Sequence, residues 1–184
     1  MKRFFITMSL VFVALIGFAQ DIPAGMRVEI ASAEQDKEVF EIFKYKDDEG
    51  TVGYYLSVGK VFKILEIFRD ADALNSSFDH INESCIWLGA TSEEAAATLD
   101  SIIALYDEDV QTTREFEGRA STGSEKLGKP NTITCVVQKK LLGGKRLQFI
   151  FTSGKHTANT YLNKSTAKQL RWSMKFNKKL HPND

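Results

Sequence analysis

The chain has 184 residues, a formal net charge of zero, 43% hydrophobic and 26% charged residues, and two cysteines. That balance is the one an ordinary globular domain carries. It excludes a disordered or collagen-like chain and a disulfide-dense scaffold, and it gives no reason to expect a nucleic-acid partner.

The N-terminus reads as a three-part leader. Lys2 and Arg3 supply a positive start, Phe4 to Phe18 an apolar stretch, and Gly17 and Ala19 the small residues that favour cleavage before Gln20. The apolar run is shorter than the ~20 residues a helix needs to cross a bilayer, so residues 1–19 are expected to be removed and the mature chain to be periplasmic or secreted. No transmembrane segment is expected in the mature chain. What remains is about 165 residues, the size of one domain able to bury a core without metal or staple.

Residues 20–37 are polar and mixed, with Pro23 and Gly25, and read as a loose entry segment before a single α+β domain over 38–184. Val39 to Lys46 is rich in β-branched and aromatic residues, and Val52, Tyr54, Leu56 and Val58 alternate strictly. The turn residues Asp47-Asp48-Glu49-Gly50 between them make the two runs a hairpin. Residues 60–68 are ambiguous and are read as a strand; Cys85 to Leu88 is a short strand. The clearest helix spans Ser92 to Tyr106. Thr91 and Glu94 form its capping box, and Leu99, Ile102, Ile103 and Tyr106 form one apolar stripe. A polar stretch with three glycines follows. Thr132 to Leu141 and Arg146 to Thr152 then form a hairpin across Gly143-Gly144, and Tyr161-Leu162 open a short strand. Ser165 or Thr166 caps a last helix. Its alternating Leu170, Trp172, Met174 and Phe176 is a strand signature overruled by the helix formers around it.

The expected architecture is therefore antiparallel β-hairpins or a meander with two helices packed on the sheet. Similar turns and helix starts in the two halves add the option of two pseudo-repeated β-β-α units, over 38–109 and 130–180.

Charge is divided unevenly. Gln20 to Gly118 holds 22 acidic and 8 basic residues, whereas Arg119 to Asp184 holds 14 basic and 2 acidic. Because the basic half also carries strand and helix patterns, the two halves are expected to pack together and cancel much of each other's field. On the last helix, Lys164, Lys168, Arg171, Lys175 and Lys178 share one arc and form a candidate polyanion face. With the charges paired, the chain is expected to ignore heparin, DNA and anionic vesicles at about 0.15 M salt.

No motif for catalysis, metal or nucleotide is present. His80, His156 and His181 lack the spacing of a zinc site, and Asp70-x-Asp72 fails as a calcium loop because Leu74 and Ile81 fall where oxygen ligands belong. No cofactor or metal is expected. Cys85 and Cys135, in a chain bound for an oxidising compartment, are a candidate disulfide. The reading is an exported, non-enzymatic envelope binding or interaction module, with an envelope protein or glycan as partner. The alternatives are an envelope hydrolase with dispersed residues and a polyanion- or lipid-contacting protein using the basic half. On the leader reading, intact-mass measurement of exported material gives a chain beginning at or within a few residues of Gln20; a mass that retains Met1 refutes it.

Overall fold

The computed structural model describes residues 22–36, 38–58, 82–122, 127–128, 130–153 and 156–180. The leader, the segment 60–68, His80 and His181 lie outside the described residues. The strands are β1 (Arg27–Gln35), β2 (Glu38–Lys46), β3 (Val52–Val58), β4 (Asn82–Gly89), β5 (Thr113–Thr122), β6 (Pro130–Lys139), β7 (Lys145–Ser153) and β8 (His156–Asn163). Helix α1 (Ser92–Ala104) runs into a 3-10 turn, Leu105–Asp107, between β4 and β5, and helix α2 (Lys164–Leu180) follows β8. All eight strands form one antiparallel sheet in chain order, and the sheet curls until it is nearly a closed barrel.

Period-two alternation drives the curl. Phe40 and Ile42, Leu56 and Val58, Ile86 and Leu88, Ile133, Cys135 and Val137, and Leu147, Phe149 and Phe151 all turn to one face, where they are buried. One core contains them together with Ala95, Leu99 and Ile102 of α1 and Ala167, Leu170 and Met174 of α2. Burying each large aliphatic or Phe side chain contributes about 1.5–3 kcal/mol, so this shared interior is the main source of stability.

Four expectations are corrected. The helices do not lie on an open sheet of hairpins, because their apolar faces fill the inside of a curled eight-stranded meander. The β-β-α repeats over 38–109 and 130–180 give way to four strands followed by a helix, twice. The loose segment 20–37 contains β1, paired with β2 from Arg27↔Tyr45 to Gln35↔Glu38. Its inward residues are Ala31 and Ala33, and a bulge between Glu29 and Ala31 breaks the alternation, so the strand carries little hydrophobic contrast. The glycine-bearing polar stretch after α1 contains β5, whose inward positions include Phe116 and Gly118. A Cβ at Gly118 would lie 2.6 Å from Ile133 Cδ1 and 2.8 Å from the Cys85 carbonyl, so that position cannot advertise itself with an apolar side chain.

The first helix starts as expected. Thr91 Oγ1 accepts from the Glu94 amide at 3.2 Å, and Glu94 Oε2 accepts from the Ala90 amide at 2.8 Å. Leu99, Ile102 and Tyr106 are buried and Ile103 packs at the core's margin. The last segment is a helix: Leu170 and Met174 point inward, while Trp172 and Phe176 stack outside with centroids 5.5 Å apart. Both i, i+4 pairs satisfy the helical period and together mimic alternation. Neither Ser165 nor Thr166 is its cap, because the helix already begins at Lys164, and Thr166 Oγ1 donates to Gln35 Oε1 at 3.0 Å.

Gln35 also closes the seam between the edge strands. Its Nε2 donates to the Tyr161 carbonyl at 2.7 Å, and its Oε1 accepts from the Asn163 amide at 2.7 Å. The side-chain amide thus replaces a missing rung between β1 and β8. Beside it, Thr160 Oγ1 donates to Glu38 Oε2 at 2.5 Å. With each hydrogen bond contributing about 0.5–1.5 kcal/mol, Gln35→Ala is expected to lower unfolding free energy by about 2 kcal/mol in denaturant titration. Gln35→Glu should not restore it, because a carboxylate cannot donate to Tyr161. An unchanged midpoint in both variants would show that the seam is held by other groups.

Candidate functional site: an aromatic pocket on the outer face

The outward positions of β2, β3 and β4 are aromatic where a one-sided sheet would be polar. Phe43 faces Tyr55 and Tyr55 faces Trp87 across neighbouring strands. Phe43 and Tyr55 stack at 5.7 Å, and Tyr55 meets Trp87 edge-on at 5.1 Å and Tyr45 edge-on at 6.3 Å. Leu127 packs on this second cluster, and the Arg27 guanidinium sits 5.1 Å from the Phe43 ring centre. Phe43, Tyr45 and Tyr55 are buried, whereas Trp87 is half-buried.

At the Trp87 end the ladder opens into a pocket of about 140 Å³, lined by Asp47, Thr51, Gly53, Tyr55, Trp87, Glu117, Gly118 and Arg119. Gly53 makes this possible: a Cβ there would lie 1.9 Å from Trp87 Cζ3, inside the ring. The indole therefore packs against bare backbone, with Tyr55 beside it. Asp47 is fixed by the β2–β3 turn, its Oδ1 accepting from the amides of Glu49 at 3.0 Å and Thr51 at 2.7 Å. Burial raises the Tyr55 phenol above its ordinary pKa, with Arg119 opposing the shift. Tyr55 is thus a neutral hydroxyl at physiological pH, able to donate and to accept. Glu117 also borders a wider, open groove of about 410 Å³ between β5 and β6, lined by Glu115, Phe116, Pro130, Asn131 and Thr132. The Asn131 side-chain amide turns to the opposite, inner face beside Gly118 and Ile133, where neither its nitrogen nor its oxygen is hydrogen-bonded.

No protein-family model, curated protein or solved structure matches this chain. The reading of the site rests on its chemistry.

The residues singled out from sequence lie elsewhere. Cys85 belongs to the outer aromatic cluster and Cys135 to the inner core, so no disulfide joins them. β5 separates their strands, and Cys85 faces Arg119 while Cys135 faces Arg114, which offsets them along the sheet as well. Two strand spacings alone come to about 10 Å, beyond the ~7 Å Cα limit for a bridge. His156 is a residue of β8. Among the described residues no three His, Cys, Asp or Glu side chains gather as a metal site, and no helix is long and apolar enough to cross a membrane.

The candidate polyanion arc is divided. Lys164, Arg171 and Lys178, seven residues apart, pair with Asp107, Asp100 and Glu93, also seven apart on the α1 segment. Arg171 makes two bonds to Asp100, at 2.8 and 2.9 Å. The Lys164 ammonium holds the Asp107 carboxyl below its ordinary pKa, and Lys178 does the same to Glu93. Lys168 and Lys175 remain exposed.

Sequence reasoning passed over Tyr55, Trp87, Glu117 and Arg119. The available signal was the uninterrupted aromatic content of Phe43, Tyr45, Tyr54 and Tyr55, which marks strands with apolar groups on both faces.

Burial pushes the Cys135 thiol from its ordinary 9.0 to about 12 and raises Tyr106 as well. The native state therefore keeps protons that the unfolded chain releases. This contribution is complete below pH 9.0 and is lost as pH rises towards about 12. Stability should fall by about 1.4 kcal/mol per pH unit for each such group. Denaturant midpoints compared below and above pH 9.0 should show the fall, and Cys135→Val should make it shallower. A profile identical to the parent's would show that Cys135 does not contribute.

Proposed function

We propose that this is an exported binding protein whose outer-face pocket takes one ring of a saccharide. The observation that carries the reading is the Trp87 indole packed directly against Gly53, with carboxylates and a guanidinium converging beside it. A pyranose ring presents apolar C–H faces and equatorial hydroxyls. An indole face suits the first, while Glu117, Arg119 and the Tyr55 hydroxyl suit the second. At about 140 Å³ the pocket is well below the space a drug-sized ligand fills, so it suits one ring and not a whole oligosaccharide. The groove beyond Glu117, with Glu115 and Thr132 on the same outer face, extends the site for a second unit. The leader places the protein where glycans are abundant, which agrees with this ligand class.

The chain has two tryptophans, so Trp172→Phe leaves Trp87 as the only indole reporter. Titrating that variant with glucose, N-acetylglucosamine and their β-linked oligomers should change its fluorescence. Single rings should bind with roughly millimolar dissociation constants and oligomers more tightly. Arg119→Met and Glu117→Gln should each weaken binding about ten-fold while preserving the melting temperature. Absence of any response to every saccharide, or binding indifferent to both substitutions, would refute the assignment. Sugar recovered intact supports a binding module; newly released reducing ends would support the envelope hydrolase in its place.

A further inference from the structure

The β6–β7 hairpin ends in Leu141 and Leu142, which are 101% and 99% exposed, more than any other large apolar residue described. Single exposed leucines are commonplace, but two adjacent ones held fully in water at a rigid tip are not. The tip is well defined. The Lys140 amide donates to the Gly144 carbonyl at 3.0 Å, and the Gly143 amide to the Lys140 carbonyl at 3.2 Å. Gly143 and Gly144 take φ values of +92° and +79°, so the return turn is made by glycines and the leucines occupy its outer corner. Lys139 and Lys145 form the last rung beneath the tip, with Lys140 beside it. No acidic residue occurs between Pro130 and Asn163.

The neighbouring segment contributes both kinds of group. The turn after α1 lies along β6, with Gln111 N donating to the Val137 carbonyl at 2.8 Å, and it exposes Val110. Of its acids, Asp107 pairs with Lys164, and the segment is tied to the hairpin through its backbone, the Glu108 carbonyl accepting from Lys145 Nζ. Glu108 and Asp109 stay exposed, set back from a tip that projects past the last rung.

We infer that the β6–β7 tip docks the protein on an anionic lipid bilayer, with Leu141 and Leu142 in the acyl boundary and Lys139, Lys140 and Lys145 at the headgroups. The two leucines have no hydrogen-bonding capacity to offer a polar partner. Basic residues ringing a short apolar tip match, in charge and depth, an interface whose surface is negative and whose interior begins a few ångströms below. Charge counting leads to the opposite expectation because it registers the paired lysines of α2 and overlooks two leucines. The contact is shallow and reversible, in keeping with two apolar side chains and three cations, and it leaves the outer-face pocket accessible.

Flotation of the purified chain with phosphatidylcholine vesicles, with and without phosphatidylglycerol, at about 0.1 M salt tests this. The chain should float with the anionic vesicles and not with phosphatidylcholine alone. Leu141→Ser with Leu142→Ser should reduce partitioning roughly ten-fold or more, as should Lys139→Glu with Lys140→Glu. Because all these side chains lie at the surface, the melting temperature should hold. Trp172→Ala with Phe176→Ala should leave partitioning unchanged. Failure of the parent chain to float, or parent-like flotation of the serine variant, would overturn the inference. So would loss of flotation in the Trp172/Phe176 variant alone, which would move the contact to α2.

Discussion

A sheet that curls without closing its hydrogen-bond ladder must find some other way to satisfy the two edges it brings together. Here the edges are β1 and β8, and Gln35 supplies from one side chain the donor and the acceptor that an eighth strand pairing would have supplied. The same oxygen receives the Thr166 hydroxyl, so the seam also sets where α2 begins. From that origin α2 packs against β1 and β8 and covers the join, and Asn177 donates to the Ile30 carbonyl, beside the bulge in β1, at 3.2 Å. An exposed, flat edge invites pairing with other chains, and a helix laid over it removes the invitation.

With α2 in place the interior has a definite shape, and α1 must fit it. The two helices run antiparallel beside one another, and the pairs Lys164–Asp107, Arg171–Asp100 and Lys178–Glu93 form a ladder with seven-residue spacing on each side. These pairs are exposed, and each contributes only about 0–1 kcal/mol. A slide of α2 by one turn would break all three pairs but bring Lys168 towards Asp107 and Lys175 towards Asp100 in their place, so the ladder by itself does not fix the register. The opposed charges of the two halves, expected from sequence to cancel in part, meet along this line. Tyr106 extends the arrangement inward, its hydroxyl donating to the Leu162 carbonyl at 2.7 Å.

The outer face is the side on which recognition can develop. Its aromatic ladder runs across three strands and ends at Trp87, and the small pocket exists because position 53 carries no side chain. Interior packing and the outer pocket therefore use alternate residues of the same strands: Tyr54 and Leu56 face the core, while Gly53 and Tyr55 face the pocket. A change that shifted the register of β3 by one residue would exchange the two sets and abolish both.

Local pattern by itself determined the elements whose contrast is strong. The β2–β3 hairpin, α1 with its Thr91–Glu94 cap, the Gly143-Gly144 turn and the helical character of α2 all follow from alternation, 3.6-residue stripes and turn chemistry within a short window. β1 and β5 escaped because small residues, Ala31, Ala33 and Gly118, face inward and give these strands little hydrophobic contrast. Their strand state is imposed by partners and not by their own composition. The closure of the sheet, the opposite faces of Cys85 and Cys135, and the meeting of Tyr55, Trp87, Glu117 and Arg119 were decided only in three dimensions. Each depends on which residues from distant segments share a face, and that depends on strand register and bulges that no local window contains. The charge division was legible as a sum, but its resolution into a heptad ladder required knowing that α1 and α2 run antiparallel.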